Sequence, residues 1–190
     1  MYDNNKRIYC ISTFDEIIED IKKINCIPVA LGKNFFSNGW KRDNTGENIS
    51  EKNLNYGELT FWYWLWKNEL SSIPNHTWVG FSQYRRHWYK SKTKEYYNNN
   101  IFENVLQKIP QEWESYETIL GEKINTREVK LMKLLKYGKM ALFKNPKSII
   151  AKYRNIKFNF DMMHGAGILN DAIELLDDEN RNSFRNYCMN

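Results

Sequence analysis

No stretch of this sequence carries the ~20 consecutive apolar residues that a membrane-spanning helix needs. Its richest aromatic run, Phe61-Trp62-Tyr63-Trp64-Leu65-Trp66, is far shorter and is bounded by Glu58 and Lys67. The N-terminal residues are polar and charged from Asp3 to Arg7, so no secretory leader is expected. Cysteine is scarce. Cys10, Cys26 and Cys188 are odd in number and far apart, without metal or redox spacing, and the first two sit in apolar runs as small core residues. His76, His87 and His164 form no ligand-spaced cluster. There is no P-loop, no Gly-x-Gly-x-x-Gly, no Cys-x-x-Cys, no Ser/His/Asp arrangement and no Asp-x-Asp. These absences argue against an integral membrane protein and a disulfide framework. They predict a cytoplasmic protein in a reducing compartment.

What is present describes an ordinary soluble chain with one unusual segment. At 190 residues the length fits a single domain with a full core. Hydrophobic residues make up 42%, charged residues 27% and aromatics a high 15%. The net charge of +5 is unevenly placed. From Glu122 to Lys157 eleven basic residues face only Glu122 and Glu128, so this segment carries +9 and the remainder −4. Such an excess is a solvated face, or it fits an anionic partner: a membrane surface, a phosphate-bearing substrate or a nucleic acid.

Along the chain, Ile8 to Ser12 has the β-branched character of a buried strand. Thr13-Phe14-Asp15-Glu16 offers a capping box, predicting a helix with Ile17, Ile18, Ile21 and Ile24 on one face. Ile27 to Leu31, closed by Gly32, reads as a second strand. This β-α-β opening predicts a Rossmann-like α/β sheet with ligands at the strand C-terminal ends. Lys33 to Asn55 is expected to be a long loop, followed by a helix from about Tyr56 to Asn68 capped by Asn53 or Asn55. Trp78 to Phe81 is a third strand delivering Gln83-Tyr84-Arg85-Arg86, Ile101 to Ile109 a helix, and Tyr116 to Leu120 a fourth strand. Arg127 to Lys144 has an amphipathic helical pattern loosened at Gly138, and a second basic helix is expected beyond Asn145-Pro146. Phe160 to Gly165 reads as a turn before a last helix, Asn170 to Leu176.

Four constellations carry chemistry. The loop groups Asp43, Asn44, Thr45, Asn48, Ser50 and Asn53 are those that pair with sugar hydroxyls, and Gly39 and Gly46 admit close backbone approach; the bland alternative is a solvated, turn-rich loop. In the aromatic helix, Leu59, Trp62 or Tyr63, and Trp66 form the expected core face, leaving Trp64 for core or for stacking on a sugar or base. Glu58 either complements the helix dipole or serves as a base. Arg85 and Arg86 at a strand end suit bidentate phosphate binding, with one of the two free for a structural ion pair. His164, beside Asp161, is either an acid/base or metal-binding group or a structural histidine.

Asp43 to Ser50, Glu51-Lys52-Asn53, Tyr56-Gly57-Glu58-Leu59-Thr60, Tyr63 to Asn68, Val79-Gly80 and Tyr84-Arg85-Arg86 together resemble one bacterial group: the capsular and exopolysaccharide biosynthesis proteins of domain-of-unknown-function family 4422. The resemblance is strongest from Asp43 to Trp88. It departs where the family has His-Tyr-Arg-Arg for Gln83-Tyr84-Arg85-Arg86 and Cys for Gly57, and where family members continue past Asn190, so a C-terminal part of the fold is expected to be missing. The resemblance implies a Rossmann-like GT-A nucleotide-sugar-binding fold and a glycosyltransferase of surface-polysaccharide assembly. It implies donor and phosphate contacts from Asp43, Asn44, Thr45, Gly46, Asn48, Asn53, Tyr56, Tyr84, Arg85 and Arg86, with the acceptor's base among Glu58, Asp161 and His164. The implied partners are a nucleotide-diphosphate sugar and a glycan or lipid-linked acceptor, at the inner face of the cell membrane and without nucleic acid. Without Asp-x-Asp, a Mn²⁺ or Mg²⁺ cofactor stays open. The alternatives are a non-catalytic or truncated capsule-biosynthesis module and a basic nucleic-acid binder.

Overall fold

The computed structural model describes residues 5–32, 34–89, 104–122, 125–128 and 131–189. Two compact units divide the chain, Met1–Gly121 and Glu122–Asn190. The first is α/β. Its described strands are β1 (Lys6–Ser12), β2 (Ile27–Ala30), β3 (Lys41–Arg42) and β4 (Trp78–Gln83), all parallel in the order β3-β2-β1-β4. The chain steps one way from β1 through β2 to β3, then crosses to the far side of β1 for β4. The crevice between β1 and β4 is therefore the topological switch point, where open α/β sheets of the Rossmann type bind ligands at their strand C-terminal ends.

Alternation along β1 explains the layers. Ile8 and Cys10 point into one core with Ile21, Ile24 and Cys26, so the helix α1 (Ile18–Lys23) covers that face. Tyr9 and Ile11 point the other way, onto Val29, Phe61, Trp64 and Leu65 of the other core, where α3 (Leu59–Asn68) lies. A strand buried on both faces reads as a continuous apolar run, which is why this one was legible. Cys10 and Cys26 are buried and free, and burial pushes the Cys26 thiol up to about 12.

Several local expectations fail for identifiable reasons. The capping box does not form: α1 begins at Ile18 with no side-chain cap. Ser12 instead engages the Phe14 backbone, while Asp15 accepts from the Ser37 N–H (2.9 Å), the Ser37 hydroxyl (2.8 Å) and the Trp40 indole (2.7 Å). The loop after Gly32 contains β3, a 3₁₀ turn at Ser50–Lys52 and the short helix α2 (Asn53–Tyr56). Gly57, at φ +54°, breaks the helix expected to run from Tyr56, so α3 starts only at Leu59 and has no side-chain cap from Asn53 or Asn55. Its buried face is Phe61, Trp64 and Leu65 rather than Leu59, Trp62 and Trp66, and Trp62 and Trp66 are 40% and 59% exposed. Fully burying one such side chain is worth about 2–3 kcal/mol, against about 1 kcal/mol for a cap. Packing therefore sets the phase of the helix.

Val105 makes an isolated antiparallel bridge with Tyr89 instead of continuing a helix to Ile109; residues 101–103 of that expected helix lie outside the described residues. Residues 116–120 are irregular and largely exposed, so the fourth strand expected there is absent.

The second unit is helical. The expected break at Gly138 separates Leu131–Tyr137 from Lys139–Lys144. A Cβ on Gly138 would meet the Leu134 carbonyl at 2.6 Å, so glycine is what lets the two helices join this closely. Two 3₁₀ turns, Pro146–Ile149 and Ala151–Tyr153, replace the second basic helix. The turn expected at Phe160–Gly165 is the end of a helix, Ile156–His164, capped by Asn155, which accepts from the Phe158 N–H at 2.8 Å. Ile168–Glu174 is the anticipated late helix, and Asp178–Met189 follows it unanticipated, since its apolar residues are few.

Candidate functional site

The polar loop is fastened to α3 along one side of that helix. Asp43 has no exposed surface; its Oδ2 accepts from the Thr60 hydroxyl at 2.6 Å and its Oδ1 from the Gly32 N–H at 3.4 Å. The Trp64 indole N–H donates to the Thr45 carbonyl at 2.7 Å. The Asn68 amide donates to the Glu47 carbonyl at 2.8 Å and accepts from the Glu47 N–H at 3.1 Å. Loop residues 43, 45 and 47 thus meet helix residues 60, 64 and 68. Of the two roles open to Trp64 in the sequence, core and ring stacking, it takes the first: it is buried in this seam.

The remaining loop groups are largely committed inside the loop. Asn48 donates to the Gly46 carbonyl at 2.9 Å and accepts from the Ser50 hydroxyl at 2.8 Å. Asn53 donates to the Gly57 carbonyl at 2.8 Å. Gly46, at φ +55°, packs so tightly that a Cβ would fall 2.1 Å from Asn68 Oδ1. Asn44 and Tyr56 are exposed.

At the switch point the polar groups face outward. The Tyr84 N–H donates to the Ile11 carbonyl at 3.0 Å, extending the β1–β4 pairing by one step. Gln83 and Arg86 then exchange backbone hydrogen bonds of 3.1 and 2.8 Å, closing a tight turn. Arg85 sits at its tip, its guanidinium 4.8 Å over the Tyr84 ring, and Tyr84 meets Phe14 edge-on at 5.0 Å. Arg86 returns to the base of the turn and lines a cavity of about 270 Å³ with Ile11, Glu58, Trp62, Gln83 and His87. That is close to the ~300 Å³ lower bound for small-molecule pockets and holds one ring-sized group. Trp62 supplies a wall, stacked on Phe81 at 4.7 Å. Glu58 Oε2 accepts from the Gln83 amide at 2.6 Å. A larger hollow, about 830 Å³, opens beside the N-terminal end of β4 with Trp78 and Trp113 in its wall. It lies away from the strand C-terminal ends, and its walls come mainly from irregular chain.

His87 is the residue that sequence reasoning passed over. Its Nδ1 is buried without a hydrogen-bond partner among the described residues. Burial pushes the imidazole below its usual range, opposed only in part by the nearby Tyr84 backbone. The ring is therefore neutral at pH 7. The signal for it was its position directly after Arg86, since a tight turn brings both into one cavity.

Asp161 and His164 belong to the helix Ile156–His164 of the second unit. Asp161 pairs with Lys157 and accepts from the Gly167 N–H at 3.4 Å, and the exposed His164 ring lies 4.5 Å from Phe160. Among the described residues no three His, Cys, Asp or Glu side chains come together as metal ligands. The switch-point cavity offers only Glu58 and His87 of these types, a poor fit to a protein-held Mn²⁺ or Mg²⁺.

The profile of the family described as "Domain of unknown function (DUF4422)" matches residues 13–187, so it spans both units. The chain belongs to that family. No curated protein and no solved structure matches it.

Proposed function

We propose that this member of the family is a glycosyltransferase that takes a sugar from a nucleotide-diphosphate donor and adds it to a growing surface glycan. The observation that carries the reading is the cavity at the switch point, where one arginine, one carboxylate, one neutral imidazole and an indole wall converge. In the transfer, an acceptor hydroxyl oxygen bonds to the anomeric carbon, the bond from that carbon to the diphosphate oxygen breaks, and the hydroxyl proton leaves to a base. Arg86 pairs with the diphosphate as charge grows on it, with Arg85 at the turn's tip as a second cation. The His87 imidazole and Glu58 Oε1, opposite the oxygen held by Gln83, are the two proton acceptors among the residues that line the cavity. Trp62 gives a flat face for a sugar or base ring.

A donor panel tests this. The chain is incubated with nucleotide-diphosphate sugars, with and without Mn²⁺, and nucleoside diphosphate release is measured. Release with one donor class, lost in His87→Gln and Arg86→Ala, is the expected result. Absence of both release and binding across the panel would sink the reading. Donor binding without release would instead favour a non-catalytic module, a reading to which the Gln83–Glu58 hydrogen bond lends some weight because it occupies half of the carboxylate.

A further inference from the structure

The helices of the basic segment have two apolar sides each. In Leu131–Tyr137 and Lys139–Lys144, Leu134 and Ala141 are buried in a core with Phe158 and Met162. Met132 and Leu135 lie three residues apart on the first helix, Met140 and Phe143 three apart on the second. That spacing puts each pair on one side of its helix, and it is not the side the core takes. Met132 is 77% exposed, Met140 67% and Phe143 84%.

The charge around these residues has one sign. Lys133, Lys136, Lys139, Lys144, Lys147 and Lys152 are all exposed, and none is ion-paired among the described residues. No acid occurs anywhere from Val129 to Phe160. Not all of the basic excess is free: Arg154 is buried, donating to the Ser148, Arg127 and Ile149 carbonyls, and Lys157 pairs with Asp161. Of the lysines that remain, Lys133, Lys136, Lys139 and Lys144 are on the same two helices as the exposed apolar pairs.

We propose that the second unit docks on an anionic lipid surface, with Met132, Leu135, Met140 and Phe143 entering the headgroup–acyl boundary and the neighbouring lysines over acidic headgroups. Large apolar side chains beside unpaired lysines are the composition of interfacial helices. A binder of phosphate backbones needs the cations but gains nothing from exposing the aliphatic Met132, Leu135 and Met140. Attachment would be superficial, since no described helix is long and apolar enough to cross a membrane. The inference is independent of sugar transfer by the first unit.

The test is co-sedimentation of the full chain with phosphatidylcholine vesicles, with and without phosphatidylglycerol. Binding is expected only with the anionic lipid and should fall as salt rises. Met140→Ser combined with Phe143→Ser should weaken it about tenfold or more, and Lys136→Gln and Lys139→Gln about fivefold each. Because Cys10, Cys26 and Cys188 are buried, Phe143→Cys can be labelled selectively with an environment-sensitive dye. Its emission should shift to the blue on anionic vesicles. Sedimentation that is insensitive to the serine substitutions would overturn the proposal. So would unshifted emission together with displacement of the protein by duplex DNA, which would point to nucleic acid.

Discussion

The loop around Asp43 and the turn around Arg86 are both polar segments at the C-terminal end of the same sheet, yet they treat their polar groups oppositely. Asp43, Thr45 and Glu47 spend theirs on Thr60, Trp64 and Asn68 of one helix. Gln83 to Arg86 exchanges backbone hydrogen bonds within a tight turn and leaves the Arg86 and His87 side chains lining a cavity. Density of polar residues is thus a poor guide to ligand capacity. What counts is how many donors and acceptors remain after the fold has used its share.

The sharpest break of this comparison sets Arg86→Ala against Asp43→Ala. Removing Arg86 should lower turnover with the accepted donor by about a hundredfold, as loss of one charge-stabilising group does, while the urea midpoint stays put. Removing Asp43 should do the reverse. The Thr60 hydroxyl and the Gly32 N–H lose a buried charged partner, a cost of about 2–3 kcal/mol that urea unfolding would register. Should Arg86→Ala unfold the chain and Asp43→Ala spare it, the roles assigned to the two regions are exchanged.

Gly46→Ala probes the loop's seam with a smaller effect. The substitution places a side chain at φ +55° and drives a Cβ against Asn68 Oδ1. About 1 kcal/mol of backbone strain adds to about 1 kcal/mol for the disturbed Asn68–Glu47 hydrogen bond. A stability loss near the sum, with donor binding intact, is expected from equilibrium unfolding and titration on the same variant. Weakened donor binding at unchanged stability would return the loop to the ligand side.

Much of the scaffold was legible because it rests on local rules. Ile8 to Ser12 and Ile27 to Leu31 declared themselves as buried strands, and Ile17, Ile18, Ile21 and Ile24 as one packed face. The place of Arg85-Arg86 at the C-terminal end of a strand followed from the apolar run Trp78 to Phe81, but the strand order that makes this end the switch point did not. What could not be read depended on competition between distant groups. The capping box of Thr13 and Glu16 did not form, and Asp15 between them is held by Ser37 and Trp40, more than twenty residues on. The helical pattern favoured Trp62 for the core face and left Trp64 over, yet packing against Tyr9 and Val29 makes Trp64 the buried one. His87 seemed isolated because sequence spacing does not show that a turn folds it beside Glu58.

Asp15 offers a third latch of the same kind and the smallest of the expected effects. The Ser37 N–H, then the Ser37 hydroxyl and the Trp40 indole, hold its carboxyl below the ordinary 3.8. A carboxyl whose folded value is depressed contributes stability that is full above its unfolded value and is lost as pH falls through the folded one. Urea midpoints of the parent and of Asp15→Asn, compared from neutral pH downward, should keep a constant gap to about pH 4 and converge below it. The asparagine keeps an acceptor oxygen but not the charge, so the converging part isolates the carboxylate. A gap that does not change with pH would mean that Ser37 and Trp40 are held by packing alone. Asp15 would then leave the class of self-satisfied polar groups to which Asp43 belongs.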